Sequence, residues 1–247
     1  MSINNSDDKE ITKENLDTYL NEFAKLFKKL NGSKMTAEIV IVGGASVLLN
    51  YNFRRSTKDI DAVIKSSSVI KDVIGIIGEK YKLPSDWLNA DFIKTKSYSP
   101  KLREVSIHYK TYYSVLEIRT IKSEYLIAMK LMAGRDYKHD LSDIVGIFWE
   151  QQKKGNPIEK DILEKAIITL YGSLDNLPED SIEFINRIFL NNDNYEKLFS
   201  EIKNEEENAK KLLNIFTEEY PNAVNRDNIN LIVKKLINID KQGKINN

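Results

Sequence analysis

Four consecutive β-branched residues, Ile39-Val40-Ile41-Val42, run straight into Gly43-Gly44, and a second apolar run, Asp59-Ile60-Asp61-Ala62-Val63-Ile64, follows shortly after. Side chains branched at Cβ suit a buried strand and disfavour a helix. Two successive glycines then end the strand in a turn. Residues 45–50 read as a short helix, and the second run reads as the next strand. Strand, turn, helix and strand in that order commit this part of the chain to an α/β layer.

Ahead of that unit, Leu16, Tyr19, Leu20, Phe23, Phe27 and Leu30 recur at helical spacing, and Gly32 stands where a helix would end. Residues 1–10 are expected to be a frayed tail. Beyond the second strand the spacing predicts a helix over 68–80. A looser section with Pro84, Trp87 and Pro100 follows, and then strands over 104–109 and 113–121. After Ser123 strand signals stop, and helices are expected at 123–134, 139–153, 159–170, 179–190, 194–217 and 227–240. Gly155-Asn156-Pro157 breaks the chain between the two regimes. We therefore read an α/β domain over 1–153, a small mixed sheet flanked by helices, followed by an all-helical domain over 154–247. Glu205-Glu206-Glu207 reads as a solvated helix face. Trp87 reads as a core aromatic under a loop, with stacking on a base as the alternative.

Charge excludes little. Lys plus Arg number 37 and Asp plus Glu number 37, so no global field draws the chain toward nucleic acid or an anionic membrane. The absence of cysteine removes disulfides, thiolate metal sites and cysteine nucleophiles. The polar opening decapeptide does not read as a signal peptide, and the apolar stretch over 39–49 is too short to span a bilayer. A cytoplasmic protein without membrane contact is the expectation. His108 and His139 have no metal-ligand spacing, and no serine sits in a Gly-x-Ser-x-Gly turn.

Asp59 and Asp61 lie two apart in the second strand, so their side chains share one face. Two like charges held so close repel unless something positive lies between them. A divalent ion with oxygen ligands meets that need, Mg²⁺ (or Mn²⁺) being the natural choice where phosphates complete the shell. Glycine lets a backbone approach a ligand closely, and the first N–H groups of a helix suit a phosphate. A phosphate cradle beside an acidic strand is more specific than either feature alone.

Gly43-Gly44-Ala45 followed by Arg55-x-Thr57-x-Asp59-Ile60-Asp61 resembles the signature of the DNA-polymerase-β-like nucleotidyltransferase superfamily, and most closely its branch of minimal bacterial enzymes that includes the AbiEii-type toxins. The segments Leu83-Pro84-Ser85-Asp86-Trp87-Leu88-Asn89 and Ser123-Glu124-Tyr125-Leu126-Ile127-Ala128-Met129-Lys130-Leu131 are similar too, and the likeness spans about residues 37–150. It implies the nucleotidyltransferase fold, metal binding by Asp59 and Asp61, and a triphosphate held by Gly43 and Gly44 with Ser46, Arg55 and Thr57. Many relatives carry Gly-Ser at the turn. Here Gly44 replaces that serine, and Ser46 follows one residue beyond Ala45. A third carboxylate is usual, and Glu117 in Val115-Leu116-Glu117-Ile118 is the choice, with Glu104 as the alternative.

From Tyr125 to Ala133 only Lys130 is neither apolar nor aromatic. A helix apolar nearly all round is buried, so this lysine must snorkel outward or meet a negative partner. Asp140 and Asp143, three apart, share a helix face. In the AbiEii-like branch a helical lysine and a following Arg…Asp…Asp segment line one cleft. That resemblance implies that Lys130 contacts triphosphate, that Asp140 orients Lys130 or serves as a base, and that Arg135 and Asp143 fix the corner. The expected activity is metal-dependent transfer of a nucleotide from a nucleoside triphosphate to tRNA, a protein or a small molecule, with two metal ions on the attacking and leaving oxygens. A toxin with a cognate antitoxin, or a phage-defence enzyme, is the expected setting. The alternatives are a non-catalytic nucleotide-binding adaptor and a two-metal phosphodiesterase or nuclease.

Overall fold

A computed structural model describes residues 10–32, 36–65, 69–135, 138–225 and 228–245. Residues 1–9, and Ser68 at the start of the expected helix over 68–80, lie outside the described residues. The chain divides into two compact units, Met1–Met129 with Thr169–Tyr171, and Lys130–Ile168 with Gly172–Asn247.

In the first unit a short strand β1 (Ile11–Thr12) leads into helix α1 (Lys13–Asn31). Thr12 caps the helix reciprocally with Asn15. The Thr12 side chain accepts from the Asn15 amide, and the Thr12 N–H donates to Asn15 Oδ1 at 2.8 Å. Strand β2 (Ala37–Ile41), helix α2 (Gly43–Asn50), strands β3 (Ser56–Thr57) and β4 (Ile60–Lys65), helix α3 (Val69–Tyr81) and strands β5 (Leu88–Asn89), β6 (Ser106–Tyr112) and β7 (Leu116–Ile121) follow. The main sheet runs β5-β4-β2-β7-β6, while β1 and β3 pair separately. Strand β2 is antiparallel to β4 and parallel to β7. The fold is thus a small mixed sheet flanked by helices, as the alternation of strand and helix signals predicts.

The sheet is two-sided in chemistry. Ile39 and Ile41 of β2, Ile60 and Ala62 of β4, and Leu116 and Ile118 of β7 join one buried cluster with Leu16, Tyr19, Leu20, Phe23 and Phe27 of α1. Residues of opposite parity, Glu38, Asp61, Lys65, Glu117 and Arg119, occupy the other face. The helical stripe of α1 stops a turn early, because Leu30 is half exposed. Trp87 is fully buried: its Nε1–H donates to Ile74 O at 3.0 Å, and Tyr19 meets it edge-on. It is a core aromatic. Strands β6 and β7 close through Tyr113 and Ser114, both left-handed (φ 51° and 57°), with Val115 N–H donating to Tyr112 O. That turn twists as a hairpin requires. The expected strand over 113–121 accordingly begins only at Leu116.

Helix α4 (Ser123–Ala133) runs out of the first unit, and α5 (Asp140–Lys153), α6 (Lys160–Tyr171), α7 (Glu179–Leu190), α8 (Tyr195–Glu219) and α9 (Ile229–Ile245) follow. Starts agree with the sequence expectation within two residues, although α9 continues past residue 240. The last turn of α6 belongs to the first unit, where Tyr171 donates to Ser97 O and Leu170 O accepts from Ser99 Oγ. The unit boundary falls inside α4, ahead of the break at Gly155-Asn156-Pro157, because α5 packs on α8. Along α8 the inward positions are Leu198, Ile202, Glu206, Ala209 and Leu213. Only Glu205 and Glu207 of the acidic triplet are solvated, and Glu206 occupies the apolar stripe at helical spacing. Among the described residues no helix is long and apolar enough to cross a membrane.

Trp87→Ala removes a fully buried ring and the indole N–H that donates to the Ile74 carbonyl. The expected loss is about 3–5 kcal/mol of unfolding free energy, measured by urea denaturation. A loss under 1 kcal/mol would mean that Trp87 does not anchor the core.

Candidate functional site

The site in the first unit is set by how β2 and β4 end. Val42, one residue past β2, donates its N–H to Asp61 O at 2.9 Å, which continues the antiparallel ladder Val40↔Val63 and Ile41↔Ala62. Gly43 turns the chain with φ 59°, a left-handed value that only glycine adopts at little cost. Helix α2 starts there without a side-chain cap. A Cβ on Gly43 would stand 3.4 Å from Asp61 Oδ2. The glycine therefore keeps the space in front of that carboxylate open. Asp59, partly buried, stands just ahead of β4 rather than in it.

Gly44 is needed for a different reason. A Cβ there would come within 2.7 Å of Arg54 Nη2 and 2.9 Å of Thr57 Oγ1. Arg54 is steadied by its Nε–H, which donates to Ser56 O at 3.1 Å. Thr57 is buried beside the glycine, whereas Arg55 is exposed. The arginine on the turn is Arg54, which the sequence reading passed over for its neighbour. Its signal was faint: two adjacent arginines lie ahead of a two-residue strand, too short for alternation to decide which turns inward.

Ser46 is fully buried, and its hydroxyl accepts from Ile121 N–H at 3.3 Å and from Asn50 Nδ2 at 3.4 Å. It ties α2 to β7. Glu117 accepts from Arg119 Nη1 at 2.7 Å, and Arg119 also donates to Ser106 Oγ and O. Glu117 is level with Glu38 on β2, which is level with Lys65 on β4. Lys65 is four residues beyond Asp61. Glu117 thus shares the face of Asp61 but stands about 13 Å further along the strands. The position on β7 level with Val42 and Asp61 is Ile121. The structure does not bring Glu117 to the aspartate pair. Glu104 is exposed in the turn before β6. Glu117 instead lines a groove of about 610 Å³ with Glu38, Lys65, Arg103 and Thr111, at the far end of β2 from the glycines. Among the described residues no three of His, Cys, Asp and Glu gather as metal ligands do.

The second unit holds a buried ion network. Lys130 is 6% exposed at its side chain, and its Nζ lies 3.0 Å from Asp140 Oδ1 and 2.7 Å from Asp143 Oδ2, both 4% exposed. Lys130 does not snorkel. Arg135 Nε–H donates to Asp140 Oδ2 at 2.6 Å and Nη2 to Oδ1 at 3.2 Å. Burial pushes the Asp140 carboxyl up. The charges and hydrogen bonds of Lys130 and Arg135 outweigh that and hold it well below the usual carboxylate range.

These two aspartates occupy the first turn of α5, where acids commonly cap. Here the cap comes from elsewhere. Glu206 of α8 accepts from Leu141 N–H at 2.9 Å, Ser142 N–H at 3.1 Å and the Ser142 hydroxyl. His139 Nδ1 lies 3.7 Å from the same carboxylate. Burial raises the Glu206 pKa against the pull of His139 and Ser142. His139 is half exposed, and exposed His108 contacts Thr111 Oγ1.

The central strand of the mixed sheet thus ends in a glycine turn beside Asp61 of the adjoining strand. A family model described as nucleotidyltransferase of unknown function (DUF6036) matches residues 18–176. The chain belongs to that family. No curated protein matches it significantly. A crystal structure of an antigenic nucleotidyltransferase-like protein from Paracoccidioides brasiliensis is similar at 13% identity. The match covers 71% of this chain and 95% of that one, with a TM-score of 0.36.

The depressed Asp140 pKa has a signed consequence. Its stabilisation is fully present above the unfolded value, about 3.9, and drains away as pH falls through the lower folded value. Asp140→Asn should cost about 3–5 kcal/mol at neutral pH. The gap between wild type and variant should begin to narrow only below about pH 4, and persist in part at about pH 2.5, in urea midpoints measured from about pH 7 downward. Parallel curves would sink the assignment.

Proposed function

We propose that this protein is a metal-dependent nucleotidyltransferase that moves a nucleotide from a nucleoside triphosphate to an acceptor. The observation that carries the reading is the juxtaposition of Gly43 with the Asp61 carboxylate, 3.4 Å from where a side chain would stand, in a chain of a nucleotidyltransferase family. Asp59 and Asp61 offer hard oxygen donors, and the space Gly43 leaves beside Asp61 suits an ion shared with a phosphate chain. The donor set fits Mg²⁺ or Mn²⁺, with substrate oxygens supplying the remaining ligands. Bound there, such an ion would neutralise charge on the triphosphate. Gly43 and Gly44 present backbone to the phosphates. Thr57 lies against Gly44 at the same turn. Asp140 orients Lys130 through the 3.0 Å ion pair.

The sequence likeness to the AbiEii-type branch supports a toxin of a toxin–antitoxin or phage-defence pair, with tRNA, a protein or a small molecule as acceptor and a cognate antitoxin as partner. One observation favours a second reading, a nucleotide-binding adaptor on the same fold: β7 carries Ile121 level with Asp61, and Glu117 is engaged by Arg119.

Incubation with each labelled nucleoside triphosphate, Mg²⁺ and a cell extract separates the two. A transferase labels an acceptor and releases pyrophosphate, and Asp61→Asn reduces that labelling by at least about a hundredfold with an unchanged melting temperature. The adaptor binds nucleotide in calorimetry and releases none. Full labelling by Asp61→Asn, or by wild type after the divalent ion is chelated, would refute the mechanism.

A further inference from the structure

We propose that Arg54, and not the neighbouring Arg55, is the cation of the glycine turn that contacts the phosphate chain of the substrate. The inference rests on the nucleotidyltransferase reading and assigns a residue within that site. Three observations carry it. Arg54 Nη2 lies 2.7 Å, and Arg54 Cζ 3.0 Å, from where a Cβ of Gly44 would be. The guanidinium therefore occupies volume that any other residue at position 44 would fill. The Arg54 Nε–H donates to Ser56 O, which holds the group at its Nε end. Arg55 is exposed.

The distances show what such a group can do. A Cβ stands about 2.5 Å from the backbone nitrogen of its own residue, so Arg54 Nη2 lies within about 5.2 Å of the Gly44 nitrogen. One phosphate oxygen accepting from two nitrogens at about 2.9 Å each spans up to about 5.8 Å. A phosphate seated on the backbone of Gly44 is thus within reach of the guanidinium at the same moment. The Thr57 hydroxyl, 2.9 Å from that Cβ position, offers a further donor on the same side. Asp61, beside Gly43, sets the opposite sign one residue away. Triphosphate carries charge for both: oxygens that share an ion with carboxylates, and oxygens that pair with a fork of N–H donors. Substituting alanine for Gly44 would displace Arg54 without removing it.

The test uses the full chain with inorganic tripolyphosphate and Mg²⁺ in titration calorimetry, so that base recognition plays no part. Arg54→Gln keeps a donor near Ser56 O and loses the charge. It should weaken binding about ten- to a hundredfold, as should Gly44→Ala, while Arg55→Gln stays within about twofold of wild type. Arg54→Lys should recover only part of the loss, because an ammonium lacks the fork. Melting temperatures of Arg54→Gln and Arg55→Gln are compared alongside. Equal binding by wild type and Arg54→Gln overturns the inference, as does a loss that follows Arg55→Gln instead. A wild type that binds no tripolyphosphate, with or without Mg²⁺, overturns the reading of the site as well.

Discussion

One backbone hydrogen bond organises the candidate site: the Val42 N–H donating to the Asp61 carbonyl at 2.9 Å. It is the last rung between β2 and β4, and it fixes which residues meet where the ladder ends. Because antiparallel partners lie on the same face, a slip of one residue would turn Asp61 into the apolar core and Ile60 outward. Ile39, Ile41, Ile60 and Ala62, all buried, hold the register against that slip. The hydrophobic face thereby aims the carboxylate, and Gly43 leaves it room. The site is a consequence of sheet register more than of any contact made by its own polar atoms.

That dependence explains what could be read in advance. Element order follows from periodicity, since β-branched runs and helical stripes each report a local preference. The nearness of Gly43 to Asp61 was legible because the strands that lead to them adjoin. Glu117 was not. Its distance from Asp61 is set by the parallel register of β2 and β7, which no turn connects and no local pattern records. Strand alternation places it on the right face and says nothing about its level. The hairpin at Tyr113 and Ser114 escaped for a related reason, having neither the glycine nor the asparagine that usually marks a left-handed turn.

Glu206 shows a further limit. Within Glu205-Glu206-Glu207 composition says solvated, yet position 206 falls on the stripe with Ile202, Ala209 and Leu213. A buried carboxylate is costly unless its lone pairs are taken up, and the open end of α5 supplies N–H donors that need an acceptor. Each defect cures the other. The signal was present as spacing, but only the second helix makes sense of it. The same arrangement relieves Asp140 and Asp143 of the capping role their position would give them, so both can turn to Lys130.

The balance of charge around Lys130 bears on its role. Lys130 and Arg135 carry two positive charges, Asp140 and Asp143 two negative, and all but Arg135 are almost wholly buried. Moving such ions out of water costs several kcal/mol each, which close pairing recovers only when the charges balance. A lysine already balanced by two carboxylates contributes direction and a hydrogen bond more than net positive charge. The physical distinction is between a cation that compensates charge and one that is itself compensated. Lys130, with Asp140 and Asp143 at hydrogen-bond distance, is of the second kind.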